Sequence, residues 1–314
     1  SKILRVVIDQ KFKRINSNHD IRVDVRIFCT SSKNVNTEII NADSRLFYRG
    51  LNIGTAKPTK SELSITKHHL IDILDPDEKF TLNNFLILVR RQIQKLHNEK
   101  KIPIIIGGSG QYIWSLVEGW NIPNVKPDTE LRSNLEKQLN QNGIEHLQVM
   151  LKNLSKKLYG QTDLLNPRRI IRSIEIAKSS EDNKVQKNKN LTYDSFILGL
   201  NAERKLLHSR VRSRVNKMVN DGFIKEINTL LAKGYDSSLQ SMSSIGYKEF
   251  INYVNGEYSK EEAIEKTIIS TNRLIRNQNN WFKQSDDRIC WINNNDEEKN
   301  FNLVKNAIKK WIKT

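Results

Sequence analysis

The stretch KIPIIIGGSGQYI (residues 101–113) constrains the fold more than any other part of the chain. Its apolar run is short and closes on two glycines, the pattern of a buried strand entering a tight turn. Ahead of it, Leu82, Phe85, Leu86, Val89, Ile93 and Leu96 keep helical spacing, with Thr81 as the N-cap. Further back, TEIINAD (residues 37–43) and HHLIDIL (residues 68–74) read as two more strands. Strand, helix and strand in alternation predict an α/β fold, a parallel sheet flanked by helices. ILRVVID (residues 3–9) adds a short apolar strand. IRVDVRIFC (residues 21–29) alternates strictly between apolar and charged residues, the period of a half-exposed strand rather than a central parallel one.

From Trp114 the pattern changes. PDTELRSNLEKQLNQNGIEHLQVMLKNL is helical, and NPRRIIRSIEIAK starts another helix with Asn166 as cap and Pro167 in the first turn. KSSEDNKVQKNKNLTYD is polar and predicts a loop, and FILGL predicts a returning strand. ERKLLHSRVRSRVNKMVNDGFIKEINTLLAKG then reads as one amphipathic helix. The expected organisation is an α/β core of residues 1–118 and 191–314, interrupted by a helical insertion at 119–190.

Charge narrows the partners. Lys and Arg number 52 against 35 Asp and Glu, a net charge of +17. A polyanion partner would use such a field, because each neutralised phosphate releases a counterion; a compositional bias toward Lys and Asn gives the same excess. No apolar run approaches a membrane span, and no signal-type pattern opens the chain. Cys29 and Cys290 lie far apart, and the six histidines show no paired ligand spacing, so no metal site is expected from side-chain spacing. A reduced cytoplasmic setting follows.

Three groups of residues carry chemistry. Asp43 ends a predicted strand, where open α/β sheets bind ligands; it equally suits a turn starting at Ser44. Gly107 to Tyr112 allow close approach of backbone to a ligand, or simply a tight strand-to-helix connection. Arg168, Arg169 and Arg172 crowd like charge onto one helix, which a phosphate backbone or nearby acids would relieve. Arg204, Arg210, Arg212 and Arg214 recur along a later helix as surface charge or as a grip on a leaving phosphate.

Taken in order, EIINADSRLFYRGLNIGTAKP, HHLIDILDP, IPIIIGGSGQYIWSLVEGW, NPRRIIRSIE, LGL, IGYKEF and TNRLIRNQNNWF resemble the tRNA dimethylallyltransferase (isopentenyltransferase) family, from about residue 37 to about residue 282. The resemblance implies a P-loop-type α/β core with a helical insertion that embraces the anticodon stem-loop of tRNA. It implies transfer of a dimethylallyl group from dimethylallyl diphosphate to the exocyclic amine of the adenosine 3′ of the anticodon, with Mg²⁺, by a monomer. Asp43 matches the catalytic acid, which would take a proton from the amine as the new bond forms. Ser44, Arg45 and Leu46 continue the tRNA-contact segment. Ser109 stands where the family has Thr, and Arg132, Arg168, Arg169 and Arg172 fall where it grips tRNA. Arg214 matches an Arg that meets the diphosphate.

One part of the family pattern is missing. The family carries a P-loop ahead of its ADSR strand, but here no glycine precedes Gly50. QKFKRINSNHD cannot form that loop, and SSK (residues 31–33) offers a hydroxyl and a Lys without a glycine turn. Lys67 also replaces a usual Pro, and Asn277 a usual basic residue. Either residues upstream of about Asn36 are altered, as by a frame shift, or the chain is a homologue that binds tRNA without holding the diphosphate. The chain as written is expected to turn over slowly.

Overall fold

The computed structural model describes residues 11–13, 20–22, 27–30, 37–120, 122, 125, 127–179, 192–293 and 297–313. ILRVVID and nearly all of the polar stretch after Lys178 lie outside them. The chain divides into two units, residues 1–118 with 190–314, and residues 119–189.

The first unit is built on a six-stranded sheet. In chain order its strands are β3 (Ile27–Thr30), β4 (Ile39–Asn41), β5 (His68–His69), β6 (Ile104–Ile106), β7 (Ser195–Asn201) and β8 (Ile289–Asn293). Their spatial order is β5-β4-β6-β3-β7-β8, and β1 (Lys11–Lys13) and β2 (Asp20–Arg22) form a separate antiparallel pair. β4 runs parallel to β5 and β6, and β7 runs parallel to β8. β3 is antiparallel to both of its neighbours. The sheet is therefore mixed where the sequence suggested a parallel one. The alternating segment before Cys29 is the part whose pattern already disagreed with a central parallel strand.

Helix α1 (Lys60–Leu63) is capped by Thr59, and α2 (Leu82–Asn98) by Thr81. α2 buries Phe85, Leu86, Val89, Ile93 and Leu96, the stripe expected from its spacing. α3 (Gly110–Val117) follows β6. After β7 the chain forms α7 (Arg204–Asn220) and α8 (Phe223–Ala232), so the single long helix expected there is broken. Gly222 lies between them at φ 98°, a conformation that favours glycine and ends a helix. α9 (Tyr247–Val254) and α10 (Lys260–Trp281) complete this half, and α11 (Glu297–Lys313) packs Phe301, Val304 and Ile308 against Leu198, Leu200 and Ile292 of the sheet.

The amino end of β4 carries an ion cluster. Glu38 receives hydrogen bonds from His69 at 2.5 Å and Lys101 at 3.0 Å, with Lys67 at 3.8 Å. Burial opposes its ionisation, yet these partners outweigh that and hold its carboxyl down at about 2. Arg288 stacks over Trp114 at 4.2 Å and pairs with Glu118 at the end of α3.

The second unit is helical. α4 (Thr129–Leu154) breaks at Gly143, and α5 (Lys156–Gln161) and α6 (Pro167–Lys178) follow. Leu135, Leu147, Leu151, Ile170, Ile171 and Ile174 form its core. Each such side chain removed from water is worth about 1.5–3 kcal/mol.

Candidate active site

Asp43 lies just past the carboxyl end of β4. The N–H of Ala42 makes the last ladder bond, to the carbonyl of Ile106 at 2.7 Å. The chain then turns. The Arg45 N–H donates to Asp43 Oδ1 at 2.9 Å, and the Leu46 N–H donates to the Asp43 carbonyl at 3.3 Å. Both expectations for Asp43 meet here: one carboxylate oxygen starts the turn, and Oδ2 has no hydrogen-bond partner among the described residues.

The buried Asn41 amide grips the same turn. Its Oδ1 accepts the Asp43 N–H at 2.8 Å, and its Nδ2 donates to the carbonyls of Asp43 at 3.0 Å and Leu70 at 2.8 Å.

The Gly-Gly-Ser-Gly turn after β6 packs against Asp43. A Cβ on Gly107 would sit 2.3 Å from the Ala42 carbonyl carbon and 2.8 Å from the Asp43 nitrogen, so only glycine lets the two backbones meet. Ser109 occupies the N-cap of α3 but makes no capping bond. Its hydroxyl instead accepts the Ser44 N–H at 3.2 Å. Gln278 of α10 donates to the Gly108 carbonyl at 3.1 Å, and Trp281 lies where a Gly110 side chain would be. Arg45 reaches the carbonyl of Gln240 at 3.0 Å, and Leu46 accepts the Asp72 N–H.

Two further groups steady the loop that follows. The Glu226 carboxylate accepts the N–H groups of Asn52, Ile53 and Gly54 and the hydroxyl of Tyr247 at 2.6 Å. The buried Lys57 ammonium donates to the Tyr48 carbonyl at 2.6 Å and pairs with Asp72. Burial pushes its pKa down, and Asp72 opposes the shift. Tyr112 stacks on Phe85 at 4.4 Å and on Phe47 at 6.0 Å. Its hydroxyl is pushed up to about 12 by burial, with the charges of Tyr48 and Asp43 adding.

The four arginines of the second unit differ among themselves. Glu175, with 1% of its side chain exposed, accepts two bonds from Arg132 at 2.7 Å, one from Arg172 at 3.1 Å and the Asp128 N–H. Burial opposes its ionisation, and these donors lower its pKa nonetheless. Arg172 also donates to the Val125 carbonyl, and Arg169 pairs with Asp163 at 3.1 Å. Arg168 is exposed and has no partner among the described residues. In the first unit, Arg214 is exposed on α7, which packs on α10 through Val211, Val215 and Ile268.

A carboxylate at a strand's carboxyl end, fixed by backbone tethers with one oxygen open, can take a proton from a weak nitrogen nucleophile. A sequence model described as IPP transferase matches residues 46–285. The chain belongs to the IPP transferase family. It is 36% identical over 274 residues to a tRNA dimethylallyltransferase of Dehalococcoides mccartyi, covering 86% of this chain and 84% of that one. It is also 36% identical to that of Alkaliphilus oremlandii, covering 88% and 90%. The structure of the full-length tRNA isopentenylpyrophosphate transferase of Bacillus halodurans matches with a TM-score of 0.65 at 32% identity, over 89% of each chain. A eukaryotic dimethylallyltransferase acting on tRNA shares the fold, with a TM-score of 0.68 at 22% identity over 87% of this chain and 71% of that one.

Against the family pattern, this chain differs at β3. Cys29 pairs with Ile104 and Thr30 with Ser195, the first residues of β6 and β7. The described end of β3, Thr30, therefore lies at the end of the sheet opposite Asp43; SSK (residues 31–33) lies outside the described residues. Among the described residues no group of three or more His, Cys, Asp and Glu could hold a metal ion.

Sequence reasoning passed over Asn41 and Glu226. Asn41 had a local signal, an amide two residues before a strand-end acid. Glu226 had none, because the backbone groups it holds, those of Asn52, Ile53 and Gly54, lie more than 170 residues away.

Proposed function

We propose that this chain transfers a dimethylallyl group from its diphosphate to the exocyclic amine of the adenosine 3′ of the anticodon in tRNA. The open Oδ2 of Asp43, fixed at the carboxyl end of β4 in a family of tRNA prenyltransferases, carries this reading. The amine lone pair attacks the allylic carbon, the carbon–oxygen bond to diphosphate breaks, and the amine proton passes to Asp43. The adenine must first leave the anticodon stack to reach the carboxylate. In this reading Ser44, Arg45, Leu46 and Ser109 present the turn to the extruded base. Arg132, Arg168, Arg169 and Arg172 lie on the helical insertion that faces tRNA, and Arg214 meets the diphosphate. Helical insertion and core work as one monomer in the cytoplasm. No helix among the described residues is long and apolar enough to cross a membrane.

Mg²⁺ enters this reading as the counter-ion of the donor's diphosphate, as is usual for that ion. The described residues offer it no cage, and no step runs through it.

The test is incubation of the purified chain with dimethylallyl diphosphate and an unmodified anticodon stem-loop, read by mass spectrometry. The loop should gain one dimethylallyl group, and the Asp43→Asn variant should lose that activity. The reversed β3 and the missing glycine loop favour a second reading, in which the chain binds tRNA without holding the donor. Tight stem-loop binding with no mass gain selects that reading and overturns the first.

A further inference from the structure

We infer that Asn41 is the positioning residue for Asp43, the group that sets where the catalytic carboxylate points. This rests on the assignment of Asp43 as the base. Asn41 is the last residue of β4 and is 3% exposed. Its amide holds both sides of one residue, accepting the Asp43 N–H and donating to the Asp43 carbonyl. Its second donor bond goes to the carbonyl of Leu70, a non-glycine residue at φ 60°. A left-handed leucine costs about 1 kcal/mol or more, so the surroundings must hold it there. Asn41 thus ties the Asp43 turn to a strained point of the neighbouring loop.

Side-chain chemistry makes the choice specific. The site needs an acceptor facing the Asp43 N–H and donors facing two carbonyls. An amide supplies both from one planar group. Aspartate would place an oxygen against the two carbonyls, and leucine would leave all three backbone groups without their partner. The other restraints on the turn are the Arg45 N–H on Asp43 Oδ1, the Leu46 N–H on the Asp43 carbonyl, Ser109 on Ser44 and the Gly107 contact, and Asn41 alone accepts the Asp43 N–H. Without Asn41 the Asp43 N–H loses its acceptor, and its carbonyl keeps only the long 3.3 Å bond from the Leu46 N–H. A displacement of about 1 Å at a reacting group lowers turnover about 100-fold.

The test uses Asn41→Ala in the full chain with two readouts. The first is amide hydrogen exchange. Exchange at Asp43 and Ser44 should rise about tenfold or more, while Ile40 and Ile105 in the core strands stay within about threefold of the parent. Acceleration throughout the sheet, or none at the turn, overturns the proposal. The second is steady-state kinetics. The kcat should fall about 100-fold with the KM for both substrates within about threefold, the split expected when only transition-state geometry is lost. A kcat within about threefold of the parent overturns it. If the parent chain transfers no prenyl group, the proposed function fails, and the exchange measurement still decides whether Asn41 holds Asp43. Asn41→Ser keeps a short hydroxyl that can accept the Asp43 N–H and loses the reach to Leu70; its turnover should lie between the parent and the alanine variant. It serves as the probe if that variant does not fold.

Discussion

Gly107 decides how closely the β6 turn can approach Asp43. Its neighbours are backbone atoms, which cannot swing aside as a side chain would. Gly107→Ala should cost about 2–4 kcal/mol and most of the turnover, as read by a urea melt and the transfer assay. A variant that folds and works like the parent would show that the two backbones can part. Glu38 sits at the other end of β4 and gives a pH-dependent counterpart. Its folded pKa, about 2, lies below the ordinary value of 4.5. The stability it contributes is therefore fully present above about pH 4.5 and is lost as the pH falls toward 2. Glu38→Gln should cost about 1–3 kcal/mol at neutral pH, and the gap in urea midpoint should close between pH 4.5 and 2. A gap that holds constant to pH 2 would remove the ion cluster from the account.

At the scale of elements, α6 separates two kinds of arginine that look alike in NPRRIIR. Arg172, with Arg132 of α4, neutralises the buried Glu175 and fastens the two helices together. Breaking such a pair leaves a buried charge exposed to no partner, at about 3–5 kcal/mol. Arg132→Ala, which strips two donors from the buried Glu175, should therefore unfold the helical unit at markedly lower urea, a change that circular dichroism reads. Arg168→Ala should leave stability within about 0.5 kcal/mol. It should weaken stem-loop binding and reduce the salt slope by about one, as fluorescence anisotropy would show. Equal effects of the two arginine changes on binding and stability would contradict the division. Helix α2, the Thr81 cap and the Asn166 cap were all legible because their signals are local: a stripe at helical spacing and a polar residue ahead of it. The break at Gly222 was readable in principle from Asn-Asp-Gly, but the amphipathic stripe continues on both sides and concealed it. The partner of each arginine was not legible, since the Arg132–Glu175 contact joins residues 43 apart in sequence.

At the scale of the whole molecule, the net charge of +17 makes tRNA affinity a salt-dependent quantity. Binding of the stem-loop should weaken about linearly on a log–log scale between about 50 and 200 mM salt. An affinity indifferent to salt would separate the charge from the substrate. The α/β class followed from the alternation of elements around residues 82–113, and the family from seven phrases in order. The direction of β3 did not, because a short apolar run carries no sign of which way it points.

The turn that carries the site is completed late. Gly108 and Gly110 receive Gln278 and Trp281 about 170 residues after they are made. On the ribosome, Asp43 and its Asn41 tether emerge more than 170 residues ahead of the helix residue that rests on the adjoining turn. A chain released before Gln278 would carry the Asp43 turn with its Asn41 and Gly107 contacts but without the helix that braces the adjoining glycines. The order of synthesis thus sets the carboxylate in the chain well before the helix that closes over its neighbouring turn.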